Sequence, residues 1–275
     1  MRRRSDAGGS GVSKRRLRAM DSVRVALIVL GAGALALLGQ PANGGGGDED
    51  TTGAVTVLAA ASMTDALEEL VDQLADEYPD LEIVSSFGPS PGLAAQVLAG
   101  APADILITAD TATMEPVVRA GVTAGDVRVV ARNALVLAVP PGNPGGVTHL
   151  ADLSREELLI ALCEPRVPCG AASEELLAFG GVQAAPDTYA TDVKQAAGLV
   201  RLGEVDAALV YRTDAAAAGD EIESIGLPMA ADVANEYPAA LLRNSPNPAA
   251  ARVVLDVIDG EPGRKVLAES GFLEP

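Results

Sequence analysis

The sequence predicts an α/β fold with largely parallel sheets. Two observations point to it: from Val55 onward, short apolar runs alternate with stretches whose apolar residues recur at helical spacing, and Pro and Gly clusters punctuate the chain. VTVLAA (Val55 to Ala60) reads as a strand, followed by a helix with Ala66, Leu67, Leu70, Val71 and Leu74 on one face. LEIVSSF (Leu81 to Phe87) is a second strand and leads into a helix from about Pro91 to Leu98, which Gly100 ends. DILITAD (Asp104 to Asp110) reads as a buried strand, with Asp110 placed to cap the next helix. NALVLAVP (Asn133 to Pro140) is another strand, closed by PPGNPGG. LLIALC, the segment Ser173 to Phe179, a helix starting near Val193 and the strand AALVY (Ala207 to Tyr211) continue the alternation. Pro248 to Glu269 reads as one or two helices with no strand after them. No internal repeat, GxGxxG or P-loop stands out.

Ahead of this region, Arg2, Arg3, Arg4, Lys14, Arg15, Arg16 and Arg18 precede an uncharged apolar run from Val25 to Leu38, the layout of an export signal. The run is shorter than the ~20 residues that span a bilayer and is rich in Gly and Ala, so export is preferred over a membrane anchor. NGGGGDED (Asn43 to Asp50) then reads as a flexible tether. Without residues 1–50, 225 residues remain, enough for one large or two modest domains, and with no second hydrophobic span this part is expected to be soluble. The chain carries a formal charge of −18, and because residues 1–40 contribute +6, the remainder carries −24. Such a surface repels nucleic acid and anionic lipid, which argues against both as partners. The two cysteines close CEPRVPC; export favours a Cys163–Cys169 disulfide over two unpaired thiols, and a metal site would need further Cys or His, whereas the single His149 lies outside this segment.

The stretch LAAASMTDAL raises a chemical question, because it places three alanines and Ser62 where a strand turns into a helix. A serine there offers its hydroxyl beside backbone N–H groups that the helix leaves unpaired, and small neighbours let a ligand approach. The same layout recurs at SSFGPSPGLAAQ, which places Ser90 as N-cap and Pro91 at the first helical position. It recurs again in VPCGAASEELL, and in ATDVKQAAGLV, where Thr191 or Asp192 caps a helix that Val193 starts. Taken singly, each is an ordinary capped helix, as Tyr211 taken singly is an aromatic at a strand end. Four together suggest an anion site made of neutral donors.

VTVLAAASMTDAL, VSSFGPSPGLAAQV, GAPADILITAD, VPCGA, DVKQAAGLVRLGEVDAALVY, EYPAALL and a late GF follow one another from Val55 to Leu273, and in these stretches the chain resembles the molybdate-binding proteins of bacterial ABC importers. The resemblance implies a class II periplasmic binding-protein fold, with two lobes joined by a hinge and closing on an oxyanion. Lobe I would span 51–133 and 238–275, and lobe II 134–237. The implied ligand shell is Ser62 and Ser90 from lobe I, and from lobe II the backbone N–H groups of Cys169 and Val193 with the Tyr211 hydroxyl. Molybdate is the implied ligand and tungstate a near-equal one, held without a cofactor or direct side-chain metal ligands. The implied partners are a membrane permease and its cytoplasmic ATPase, with the binding protein monomeric, extracytoplasmic and not an enzyme. Two departures matter. Cys169 stands where such proteins commonly carry a small residue, and LLGQ puts Gln40 where a lipoprotein would have its cysteine, so the protein is expected to be released or held by an uncleaved signal.

Neutral donors can balance a tetrahedral dianion, since hydrogen bonds to charged groups contribute about 1.5–3 kcal/mol each. A donor-only shell disfavours hydrogen phosphate, whose proton would face an N–H or O–H; sulfate has no such proton and must be rejected by size, so a binder of sulfate or another tetrahedral anion is the alternative. The charge of −24 matters little to the cleft, because screening acts beyond about 8 Å. GPSPG (Gly88 to Gly92) matches the nucleophile-elbow pattern of serine hydrolases, but Pro91 has no N–H for the oxyanion hole and His149 is the only histidine. The scarcity of aromatics is unfavourable to an adhesion module.

Overall fold

The computed structural model describes residues 51–275. The export signal, the tether and Gln40 lie outside the described residues. β1 (Gly53–Ala60) leads through a 3-10 turn, Ala61–Met63, into α1 (Thr64–Glu77). β2 (Leu81–Gly88) leads into α2 (Ser90–Leu98), β3 (Ile105–Ile107) into α3 (Thr111–Arg119), and β4 (Thr123–Asn133) follows. Next come β5 (Leu135–Val139), β6 (Ile160–Cys163), α4 (Pro168–Phe179), β7 (Thr188–Ala190) and α5 (Val193–Arg201). After β8 (Ala207–Tyr211), α6 (Arg212–Ala217) and β9 (Glu223–Gly226), the chain ends with β10 (Asn235–Leu242), α7 (Pro248–Asp259) and α8 (Glu261–Glu269).

The strands form two five-stranded sheets, ordered β2-β1-β3-β10-β4 and β7-β6-β8-β5-β9, one in each lobe of a two-lobed α/β fold. In the first, β1 is parallel to β2 and β3 while β10 is antiparallel to β3 and β4. In the second, β6 is parallel to β7 and β8 while β5 is antiparallel to β8 and β9. Each sheet therefore has one reversed strand, and in each it is the one beside a crossing between lobes. β5 starts after a single residue, Ala134, beyond β4; β10 is the strand on which the chain returns. A topology repeated in space with no repeat in sequence follows from pairing rules rather than residue identity.

Local sequence explains most elements. α1 buries Ala66, Leu67, Leu70 and Leu74 of the face its periodicity predicts, with Val71 only half-buried at its edge, in a core shared with Leu255 of α7 and Val266 of α8. β3 is apolar and buried at every position, as expected of a strand covered on both faces. It is shorter than DILITAD because Asp104 turns inward to accept from the backbone N–H of Thr56 at 2.7 Å and of Asn247 at 3.0 Å. β4 and β10 carry no clear periodicity. β4 mixes Asp126, Arg128 and Arg132 with few buried positions, and β10 contains Pro238, a residue that argues against a central strand. The pairing accommodates the missing donor by shifting register between Tyr237 and Pro238. Among the described residues, no helix is long and apolar enough to cross a membrane.

Candidate functional site

In both sheets the parallel strands end at one cleft between the lobes, the place where α/β sheets expose unpaired helix N-termini. The cleft is lined by Ser62, Ser90, Cys169, Val193 and Tyr211 together, so the five residues singled out in the sequence converge although they span 150 positions. Ala60, Ala61, Gly88 and Ala109 complete the near wall, with side chains too small to obstruct a ligand.

Ser62 lies in the 3-10 turn after β1, and its Oγ is 2.8 Å from the Tyr237 hydroxyl. Ser90 is the first residue of α2 and not its N-cap, which corrects the sequence reading by one position. The reason is Pro89, whose carbonyl already accepts from Gly92 and Leu93, so the helical bonding begins there. Freed from capping, Ser90 Oγ accepts from the Ala109 N–H at 3.1 Å. Cys169 is the second residue of α4, bonded to Cys163 at the end of β6 with their Cα atoms 5.7 Å apart. Gly170 allows this approach, for a Cβ there would sit 1.9 Å from the Glu164 carbonyl oxygen. Val193 opens α5 under Asp192, the residue of the Thr191/Asp192 pair that caps, accepting from Gln195 N–H at 2.9 Å. Gln195 in turn accepts from the Thr191 N–H, which leaves the N–H groups of Val193 and Lys194 without partners inside the helix.

Tyr211 ends β8, is buried, and packs edge-on against Tyr237 at 6.1 Å. Burial first, then the nearby Tyr237 and Asp110, push its phenol well above the usual tyrosine range, and burial does the same to Tyr237. Both hydroxyls stay protonated and able to donate. Among the described residues, no Lys, Arg or His lines the cleft, and the charged side chain that does, Asp192, accepts from the Gln195 N–H as the cap of α5. Lys194, next to Val193, commits its ammonium to Asp65 and, at 3.3 Å, to Asp214. The arrangement therefore offers hydroxyl and backbone N–H donors to an anion without a counter-charge.

Sequence reasoning missed the residues beneath these donors. Asn133, Asn235 and Tyr237 hold them from behind: Asn133 Nδ2 reaches the Thr213 hydroxyl at 2.9 Å and the Tyr237 hydroxyl at 3.4 Å, and Asn235 Nδ2 reaches the Tyr211 hydroxyl at 2.9 Å. The available signal was a Tyr-Pro pair opening an otherwise apolar stretch. His149 does not line the cleft. It caps the turn Leu150–Ser154 and bonds Asp152 at 2.5 Å, so Ser90 has no histidine base. Among the described residues, no group of three His, Cys, Asp or Glu is placed to hold a metal ion.

The family of bacterial extracellular solute-binding proteins matches residues 55–273. The molybdate-binding protein ModA of Mycobacterium tuberculosis is 34% identical over 236 residues, covering 86% of this chain and 90% of that protein. ModA of Haemophilus influenzae is 32% identical over 231 residues, covering 79% and 89%. Among solved structures, the periplasmic molybdate-binding protein of Azotobacter vinelandii superposes with a TM-score of 0.69 at 23% identity, covering 80% of this chain and 99% of that one. The sulfate-binding protein SubI of Mycobacterium tuberculosis also gives 0.69, at 18% identity and covering 80% and 86%. At those identities the superpositions establish the fold alone. The sequence match goes further: the chain belongs to the bacterial extracellular solute-binding proteins, in the family of the ModA molybdate-binding proteins.

Proposed function

We propose that the protein captures molybdate, with tungstate as a near-equal ligand, and delivers it to the membrane permease of an ABC importer. In this reading lobe I (51–133 and 238–275) closes on lobe II (134–237) around the anion. Ser62, Ser90 and Tyr211 donate through hydroxyls, and Cys169 and Val193 through backbone N–H. The protein works outside the cytoplasm as a monomer, binding its cargo without transforming it and without a cofactor. The observation that carries the proposal is the convergence of these five donors on one cleft that no cationic side chain enters. The names of the relatives point to the same ligand. Sulfate is the second reading, because a donor-only shell suits any unprotonated tetrahedral dianion and the SubI fold is equally similar.

Calorimetric titration of residues 51–275 with molybdate, tungstate, sulfate and phosphate tests both, the chain having no Trp to report closure. One-to-one binding of molybdate and tungstate with weak sulfate is expected. Tight sulfate would establish the second reading, and no binding of any of the four would refute both.

A further inference from the structure

Asn235 is the first residue of β10, where the chain returns to the first sheet, and its side-chain amide touches both lobes. Nδ2 lies 2.8 Å from the Ala109 carbonyl oxygen in the turn after β3, 2.9 Å from the Tyr211 hydroxyl and 3.5 Å from the Pro168 carbonyl oxygen. Two of these partners are carbonyls, which only accept, so the nitrogen of the amide and not its oxygen must face them. That nitrogen has two protons, and the two short contacts use them. The Tyr211 hydroxyl thus accepts from Asn235 and has to direct its own proton elsewhere: to the Tyr237 hydroxyl, which already has Ser62 and Asn133 as partners, or, when an anion is bound, into the cleft that Tyr211 lines. Ala109 also donates its own N–H to Ser90 Oγ at 3.1 Å, so the Ser90 hydroxyl too has an acceptor site filled by the framework.

We propose that Asn235 is a positioning residue which, by filling the acceptor side of the Tyr211 hydroxyl, aims the phenol proton into the cleft and helps the site refuse tetrahedral anions that carry a proton. The inference rests on the oxyanion reading of the cleft. With Asn235 absent, the Tyr211 oxygen is free to accept, and a hydrogen phosphate proton finds a partner that the native site denies it.

The test is a double-mutant cycle of Asn235→Leu and Tyr211→Phe, read by calorimetry with molybdate, sulfate and phosphate and by thermal unfolding without ligand. Each single variant is expected to weaken molybdate binding about tenfold or more, and Asn235→Leu placed on Tyr211→Phe is expected to add nothing. The preference for sulfate over phosphate should narrow in Asn235→Leu and not shrink further when Asn235→Leu is added to Tyr211→Phe. Additive losses, or an unchanged sulfate-to-phosphate ratio in Asn235→Leu, would make Asn235 a structural residue and overturn the proposal. So would a Tyr211→Phe variant that binds as the native protein does. If Asn235→Leu fails to fold, the isosteric Asn235→Asp serves, since a carboxylate takes the phenol proton itself; native affinity there would also overturn it. Should the native protein bind none of these anions, the underlying oxyanion reading fails too, an outcome distinct from the others.

Discussion

Ser62 and Ser90 are both buried, yet their hydroxyls are tied into the framework differently. Ser90 Oγ accepts from the Ala109 N–H, so Ser90→Ala removes a proposed ligand donor and also leaves a buried N–H unpaired, a further cost of about 1–3 kcal/mol. Ser62 Oγ pairs with the Tyr237 hydroxyl, which keeps the Asn133 amide as a second partner, so Ser62→Ala should cost less stability. Both variants are expected to lose roughly tenfold or more in molybdate affinity by calorimetry, with Ser90→Ala melting at the lower temperature. Unchanged affinity in both would remove these serines from the site. Gly170→Ala tests the wall of the cleft, since its methyl would sit 1.9 Å from the Glu164 carbonyl oxygen and must displace the start of α4, and Cys169 N–H with it. Lower melting temperature and weaker binding together are expected; native values for both would show that the turn yields freely. Ser62, Ser90 and Val193 were legible in the sequence because a helix opening is a local signal, small residues followed by a cap and a periodic face. Asn235 and Tyr237 were not, because their roles arise from contacts such as Ser62 to Tyr237 across 175 positions, which no local pattern encodes.

At the scale of elements, the junction of β6 and α4 positions the Cys169 N–H. Cys163 ends the strand, Cys169 lies in the first turn of the helix, and the disulfide between them closes a loop with a separation of only six residues. So short a loop constrains the unfolded chain modestly, by about 2 kcal/mol on the chain-entropy estimate. Reduction is therefore expected to lower the melting temperature by roughly 4–8 °C without unfolding the protein at room temperature. Its effect on affinity should exceed that of a remote loop, because the helix end it anchors faces the cleft. Exported protein labelled with a thiol reagent should react only after reductant is added, and rapid labelling without it would show that the pair is not oxidised in the cell. The elements themselves were unevenly legible. β3 and β8 are buried at every position and read as continuous apolar runs, as does the buried end of β1, whereas β4 has charged residues on a half-exposed face and β10 contains a proline that only its register shift explains.

At the scale of the molecule, an ion chain among the described residues links the lobes. Lys194 of α5 reaches over to Asp65 of α1 in the other lobe and back to Asp214 of α6. Lys194 and Asp65 are both partly exposed, so their pair contributes at most about 1 kcal/mol. Asp214 is different: its carboxylate is fully buried, with the ion pair at 3.3 Å but no hydrogen bond. Burial is the largest influence on it and outweighs the pull of Lys194, while Asp65 and Asp192 add repulsion, and together they raise its pKa from 3.8 to about 7. A carboxyl that is harder to ionise in the folded state than in the unfolded one keeps its proton longer when folded. Between about pH 4 and pH 7 the folded protein then holds a proton that the unfolded chain has lost, so this group makes stability fall as pH rises through that window and changes nothing above it. Asp152 acts in the opposite sense and lower down: burial opposes its ionisation, but hydrogen bonds from the Thr148 and His149 backbone and the His149 ring prevail, holding it at about 2, so its contribution is lost only in acid below the usual carboxylate range. The two windows do not overlap, which makes Asp214 separable. Asp214→Asn should abolish the decline between pH 4 and pH 7, so that the stability of the variant relative to the native protein rises across it by up to a few kcal/mol. Urea unfolding at pH 4, 5.5, 7 and 8.5 measures this directly. Parallel native and variant profiles would mean that Asp214 ionises as an ordinary carboxylate.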